Sequence, residues 1–525
     1  MKFRLACLLL TIFAGVAQAE LSLHGLFSDR AVLQQGVEIP VWGKADRGAE
    51  VMVELAPATV STRADAEGRW MVKLPVRPKS IEAAVLTVRS GEEALRRTGI
   101  LVGEVWVCSG QSNMAWTAKN SELWPEVFVE ARQGGFGLVR LFKKGPGASD
   151  EPLTDVREGE QWTVADPTTL AAFSATATYF ARHLKGELKD TPIGLISSAV
   201  GGTNAYSWIP NETMAQDPRT AHVRDWWGPV VKAAPGARER YRKALAAWKL
   251  KVAEARKAGK KVQGRAPREP AGLKAIKRPT GLYNAMIAPL QPYAIKGAIW
   301  YQGEANSRAP FASNYEGLMT ALIEGWRHDW AEGGFTTEEP FSFHTVQLPA
   351  FGSGPGWCLV REGFARTAAA TPNSETAITI DSGAQKDIHP RDKHVPGKRL
   401  ALIALAKDYG RSDLVWTGPA FDSMSVSDST LELKFRHVGG GEGLASSDDA
   451  ALRHFDVAGA DKVFHPANAE ISPDGESVVV ASKQVPEPVA VRYAWVAWPE
   501  GGVNFVGGTG LPAGPFRSDD WKIDL

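Results

Sequence analysis

Cysteine is scarce in this chain. Three occur in 525 residues, and one of them, Cys7, sits in an apolar N-terminal run. The other two, Cys108 and Cys358, exclude a disulfide framework and leave room for at most one bridge. Cys108 ends an apolar, strand-like run, where cysteine serves as a small buried residue. An excess of either charge is also missing. Lys and Arg number 60 against 59 Asp and Glu, for a formal net charge of +1. No global field therefore favours nucleic acid or an anionic membrane as a partner. Past the N-terminal run, no stretch is long and apolar enough to cross a bilayer. No metal site is expected: His389 and His394 flank Asp392 in a loop without zinc-type ligand spacing. Neither a P-loop nor a dinucleotide-binding glycine loop occurs, so no cofactor is expected.

What is present begins with an export signal. Lys2 and Arg4 precede an apolar run from Leu5 to Val16, and Ala17-Gln18-Ala19 supplies small residues for cleavage. Residues 1–19 read as a signal peptide, with periplasmic or secreted localisation and no membrane attachment after cleavage. Residues 20–100 read as a small β-sandwich, because GVEIPVWG, EVMVEL and RWMVKLPV alternate in polarity between turns. From about residue 101 to 410, strands such as ILVGEVWVC, PIGLIS and AIKGAIWY alternate with helical stretches, one carrying Phe173, Ala177, Phe180 and Leu184 on one face. That alternation predicts a parallel, doubly wound α/β sheet. A Lys/Arg-rich helical stretch at 238–261 interrupts it and reads as a solvated insertion, with an acidic polymer as the alternative partner. Residues 411–525 return to a β pattern and read as a second β-sandwich. The 18 tryptophans fit both a core and flat faces for sugar rings, without separating the two.

The residues that carry chemistry fall just after strand ends, where open α/β sheets place their ligands. A serine hydroxyl becomes a nucleophile when a base takes its proton, and the resulting oxyanion needs donors. Ser112, in Gly110-Gln111-Ser112-Asn113-Met114, follows a buried strand through a glycine turn. Gly201-Gly202 follows a second strand and offers backbone N–H groups; Gln302, in Tyr301-Gln302-Gly303-Glu304, follows a third and offers a side-chain amide. Asp387-Ile388-His389 puts a base and a carboxylate in one short loop. The α/β-hydrolase pattern is different, with G-x-S-x-G and an acid far from its histidine.

GQSNM, GGTNAYSW, WYQGEAN and DIHP, in this order, resemble the sialate O-acetylesterase family of SGNH/GDSL hydrolases. LFSDRAVLQQG and PVWGKADRGAEV resemble the family's N-terminal β module; FDVAGADKVFHPANAEI, PVAVRYAW and GLPAGPFRSDDW resemble its C-terminal one. The resemblance implies an SGNH-type three-layer α/β/α domain with a parallel sheet, flanked by N- and C-terminal β-sandwich modules. It implies Ser112 as nucleophile and His389 as base. The oxyanion donors would be the Ser112 N–H, a glycine N–H from Gly201 or Gly202, and Gln302. The acetyl ester would sit on sialic acid or on a plant polysaccharide such as xyloglucan or xylan. The chain departs from the general D-x-x-H motif, because residue 386 is Lys and Asp387 stands two before His389. Asp387 is the expected acid, with Asp381 and Glu304 as alternatives, or a dyad assisted by a carbonyl. A locally extended or tight-turn loop is expected, with a direct hydrogen bond between Asp387 and His389. Trp208, Trp300 and Tyr301 are candidates to line the sugar site, against plain core packing. His394 reads as a surface residue. The rival functions are a catalytically silent glycan-binding protein and a broad esterase of small acyl compounds.

Overall fold

The computed structural model describes residues 20–260, 262, 264–267, 275–438 and 443–525. The signal segment lies outside the described residues.

The N-terminal strands form where polarity alternates. Glu50–Leu55 buries Val51, Val53 and Leu55 and exposes the residues between them. Ser22–Leu23, Ile39–Lys44 and Arg69–Leu74 make a three-stranded antiparallel sheet. Glu50–Leu55, Ala58–Arg63, Ser80–Ser90 and Val32–Gln34 belong to a larger mixed sheet of 11 strands. Its spine is one long strand, β1 (Glu93–Gly110), 18 residues in length. The first half of β1 pairs with Ser80–Ser90, while its second half lies at the middle of a parallel sheet. β1 thus runs through residue 100 and connects the two regions.

The parallel part follows from sequence in a direct way. From Ile100 to Gly110 every residue of β1 is buried, as expected for a strand covered on both faces. The remaining strands are β2 (Val139–Lys143), β3 (Trp162–Val164), β4 (Ile193–Ala199), β5 (Gly297–Tyr301), β6 (Ser342–Val346) and β7 (Thr376–Ala377). Their order is β3-β2-β4-β1-β5-β6-β7, parallel except for the β2–β3 pair. β1 lies between β4 and β5, where the strand order reverses. The crevice beyond its carboxyl end is the ordinary ligand position of such sheets.

The helices used below are α1 (Ser112–Ala115), α2 (Ala175–Leu188), α3 (Ala221–Lys257), α4 (Tyr315–Glu332), α5 (Pro355–Ala370) and α6 (His394–Asp408). Helices cover both faces of the sheet. On one face Phe180 and Leu184 of α2 and Leu400 and Ile403 of α6 share a core with Trp106 and Cys108. On the other, Leu318, Leu322 and Trp326 of α4 and Phe364 of α5 pack with Val105, Val107 and Trp300. Residues 238–257 of the basic stretch form the far end of the 37-residue α3, and its last residue, 261, lies outside the described residues. Cys108 and Cys358 are both buried and free.

The C-terminal region is β-rich and has its own core, including Leu431, Leu433, Val478, Val491 and Phe505. Two four-stranded sheets and a two-stranded one contribute to it. Arg361 of α5 joins this region to the α/β part. It is almost fully buried, and its guanidinium donates to the carbonyls of Leu348, Pro349, Val496 and Ala497 at 2.7–2.9 Å. No helix among the described residues is long and apolar enough to cross a membrane.

Candidate active site

The carboxyl end of β1 makes a sharp turn that only glycine permits. Gly110 has φ +135, and a Cβ there would stand 2.2 Å from the Tyr301 carbonyl oxygen. The Gln111 N–H donates to that same carbonyl at 2.9 Å. Ser112 follows as the first residue of α1, with its side chain at the sheet's carboxyl edge.

His389 reaches the same point from the loop between β7 and α6. Its Nε2 lies 2.8 Å from Ser112 Oγ. The imidazole stacks on Trp116, with ring centroids 5.3 Å apart and planes 19° from parallel. Burial holds the His389 pKa below its ordinary 6.5, and the Lys393 ammonium pushes it the same way while Asp387 opposes.

The three candidate acids are placed differently from one another. Asp387 Oδ1 stands 3.9 Å from His389 Nδ1, beyond hydrogen-bond reach, and accepts the His389 backbone N–H at 2.9 Å instead. The loop is a tight turn closed by the carboxylate, one of the two geometries expected, but the expected direct side-chain hydrogen bond does not form. Asp381 is held by Arg399 through two bonds of 2.6 Å. Glu304 is buried and accepts from Asn113 Nδ2 at 2.5 Å. No carboxylate among the described residues hydrogen-bonds His389 Nδ1.

Gly201 lies against the nucleophile: a Cβ on it would be 3.3 Å from Ser112 Cβ. Gly202 has φ +70 and open space around it. The expectation for Gln302 needs correction. Its amide is fully buried, and Nε2 faces Gln111 Oε1 at 3.2 Å, the Thr203 carbonyl at 3.0 Å and Asn306 Oδ1 at 2.8 Å. Its Oε1 accepts from the Tyr315 hydroxyl at 2.9 Å. Two N–H groups shared among three acceptors leave no donor for an oxyanion. Gln302 instead ties together the loops after β1, β4 and β5.

The proposed sugar-lining aromatics also need correction. Trp208 and Trp300 are fully buried and meet edge to face at 5.9 Å, and Tyr301 is 2% exposed in the opposite core. They fill the interior because β5 is covered on both faces. Trp116, half-buried on His389, is the aromatic at the site. His394 is not a plain surface residue: it opens α6 half-buried, with Nε2 3.0 Å from His183 Nε2.

Asn113 and Lys393 complete the site. Asn113 Nδ2 donates to the Ile388 carbonyl at 3.0 Å as well as to Glu304. Its Oδ1 accepts from Lys393 Nζ at 2.8 Å, and Lys393 also donates to the Pro390 carbonyl. Asn113 lies inside the serine motif, so its position hinted at a role; nothing in spacing marks Lys393. The described residues contain no group of three or more His, Cys, Asp or Glu able to hold a metal.

A serine hydroxyl on an imidazole nitrogen, at a strand end and beside a glycine, is the equipment for acyl transfer. Comparison with known proteins agrees. Residues 102–234 match the carbohydrate esterase family of sialic acid-specific acetylesterases. The sialate O-acetylesterases of Mus musculus and Homo sapiens are each 27% identical, over 87% and 90% of this chain and 86% and 87% of theirs. The crystal structure of a carbohydrate acetylesterase from Xanthomonas citri is 31% identical and covers 95% of this chain and 100% of its own, with a TM-score of 0.77. With this fold, this strand-end serine and these relatives, the chain belongs to the sialate O-acetylesterase family and is a carboxylic-ester hydrolase.

Proposed function

We propose that the protein is an exported carbohydrate O-acetylesterase working through an acetyl-enzyme on Ser112. The 2.8 Å contact between His389 Nε2 and Ser112 Oγ carries this reading. His389 takes the hydroxyl proton as Ser112 Oγ bonds to the acetyl carbon. The Ser112 N–H, which as a first-turn donor of α1 has no partner within the helix, and a glycine N–H from Gly201 or Gly202 receive the oxyanion. The carbon–oxygen bond to the sugar then breaks, and the His389 proton passes to the departing sugar oxygen. Water, deprotonated by His389, attacks the acetyl group, and acetate leaves with Ser112 Oγ regaining a proton. Asp387 favours the imidazolium through space from 3.9 Å and shapes the loop that presents it.

The domain plan that goes with this reading is a signal peptide at 1–19 and a β-sandwich at 20–100. An SGNH-type α/β/α domain at 101–410 and a second β-sandwich at 411–525 complete it. The N-region charges and the Ala17-Gln18-Ala19 site support export and cleavage before Glu20. For substrates, the curated relatives point to O-acetyl sialic acid, and the β modules to a glycan, with acetylated xyloglucan or xylan as the polymeric alternatives.

The test is acetate release from acetylated sialic acid, xyloglucan and xylan beside a small acetyl ester. Turnover of a glycan ester above that of the small ester supports the reading. Equal turnover of every small acyl ester favours the broad esterase. Absence of all turnover favours a silent glycan-binding protein.

A further inference from the structure

Beneath the Ser112–His389 pair lies a chain of three buried polar side chains that the acyl-transfer steps leave unused. Lys393 is 1% exposed, Asn113 is fully buried and Glu304 is 7% exposed. Asn113 stands at the centre: Lys393 Nζ donates to its Oδ1 at 2.8 Å, and its Nδ2 donates to Glu304 Oε1 at 2.5 Å and to the Ile388 carbonyl at 3.0 Å. Every polar group of the Asn113 amide is therefore used. One neighbour of the nucleophile thereby grips the residue before the base. Lys393 closes the other side by donating to the Pro390 carbonyl, the residue after the base. The His389 loop is held at both flanks from one ammonium and one amide.

Stability alone does not account for this arrangement. Removing an ammonium and a carboxylate from water is costly for each ion, and apolar replacements are often no worse. Among the described residues the carboxylate does not touch the ammonium directly, and Glu304 Oε2 has no hydrogen-bond partner. Burial pushes Lys393 down to about 8 and Glu304 up to about 7. A buried cation beside a catalytic imidazole has an electrostatic consequence: it disfavours a second positive charge there.

We propose that Lys393 is a positioning residue for the hydrolysis, clamping the His389 loop onto the Ser112 turn through Asn113 and keeping His389 in the unprotonated form that accepts the serine proton. This rests on the reading of Ser112 and His389 as nucleophile and base. The charged groups facing Lys393 are Glu304 from the loop after β5, Asp392 at the head of α6, and Asp387 of the His389 loop. α1 contributes only the neutral Asn113, and the Trp116 ring lies 5.6 Å from Nζ. The clamp delivers geometry and the ammonium delivers charge, so the two are separable by measurement.

The experiment compares wild type, Lys393→Met, the double variant Lys393→Met/Glu304→Gln and Ser112→Ala. It follows kcat and KM for 4-nitrophenyl acetate across pH, together with thermal melting. Lys393→Met is expected to lower kcat roughly tenfold to a hundredfold with KM little changed, the scale of a misplaced catalytic group. Its acidic limb of kcat/KM should move to higher pH by roughly half a unit to one unit, because the repelling cation is gone. The double variant removes both buried charges, so it keeps the test alive if the single variant melts early. It should regain melting temperature while keeping the shifted limb. A limb that stays at the wild-type pH in a folded variant overturns the proposal, as does wild-type kcat. Ser112→Ala must be inactive. If it is inactive while Lys393→Met matches wild type, this proposal alone fails; an active Ser112→Ala removes the acyl-transfer reading and the proposal with it.

Discussion

Asp387 Oδ1 lies 2.9 Å from the backbone N–H of His389 and 3.9 Å from the Nδ1 of the same residue. The carboxylate closes the turn on which the base sits and does not bond the base itself. Asparagine at this position keeps an oxygen for the backbone bond. Asp387→Asn should therefore retain kcat within about tenfold of wild type, whereas removing an orienting triad acid costs about 10⁴. Asp387→Ala, which opens the turn, should be worse than Asp387→Asn. Steady-state kinetics on both variants decide between these roles, and a loss near the triad scale in Asp387→Asn would restore the direct-acid assignment.

Gln302 makes a second distinction. Its amide serves three acceptors from three loops and one hydroxyl donor. Truncation leaves buried groups without partners, each costing about 1–3 kcal/mol. Gln302→Ala should lose both melting temperature and kcat. An oxyanion donor would instead lose kcat by roughly 10²–10³ with stability intact. Parallel calorimetry and kinetics separate the two, and an undisturbed melting curve with a large kcat loss would return Gln302 to the oxyanion hole.

The pH profile carries the third expectation. In the proposed mechanism His389 accepts the serine proton only when neutral. Burial and the Lys393 ammonium hold its pKa below 6.5, against a smaller opposing pull from Asp387. As pH falls through that lowered pKa, the base becomes protonated and kcat/KM falls with it. The acidic limb should lie below pH 6.5, and a limb centred above that value would contradict the electrostatic description of the site.

Much of this was legible in the sequence, for identifiable reasons. Ile100–Gly110 reads as a buried strand because its apolar run is nearly continuous, and Phe180 and Leu184 mark a helix face by their spacing. Motifs at strand ends meet because parallel strands deliver their carboxyl ends to one edge, which is how Ser112 and His389 come within 2.8 Å from 277 positions apart. Side-chain partners across loops were not legible. Gln302 at a strand end looks the same in sequence whether its amide faces the crevice or three neighbouring loops. Lys393, four residues after His389, looks like any solvated lysine until the fold buries it under Asn113. Trp208, Trp300 and Tyr301 border the motifs in sequence, yet strand and helix packing directs them inward, while Trp116 is turned onto the histidine by α1.

The central claim is that the ester is cleaved through a covalent acetyl group on Ser112. Rapid quenching of the enzyme during turnover of an acetyl ester, followed by peptide mass spectrometry, reads this directly. The account predicts one added acetyl mass on the peptide carrying Ser112, absent from Ser112→Ala, which should also lose several orders of magnitude in kcat. An acetyl group on another residue, or Ser112→Ala activity within about tenfold of wild type, would contradict it.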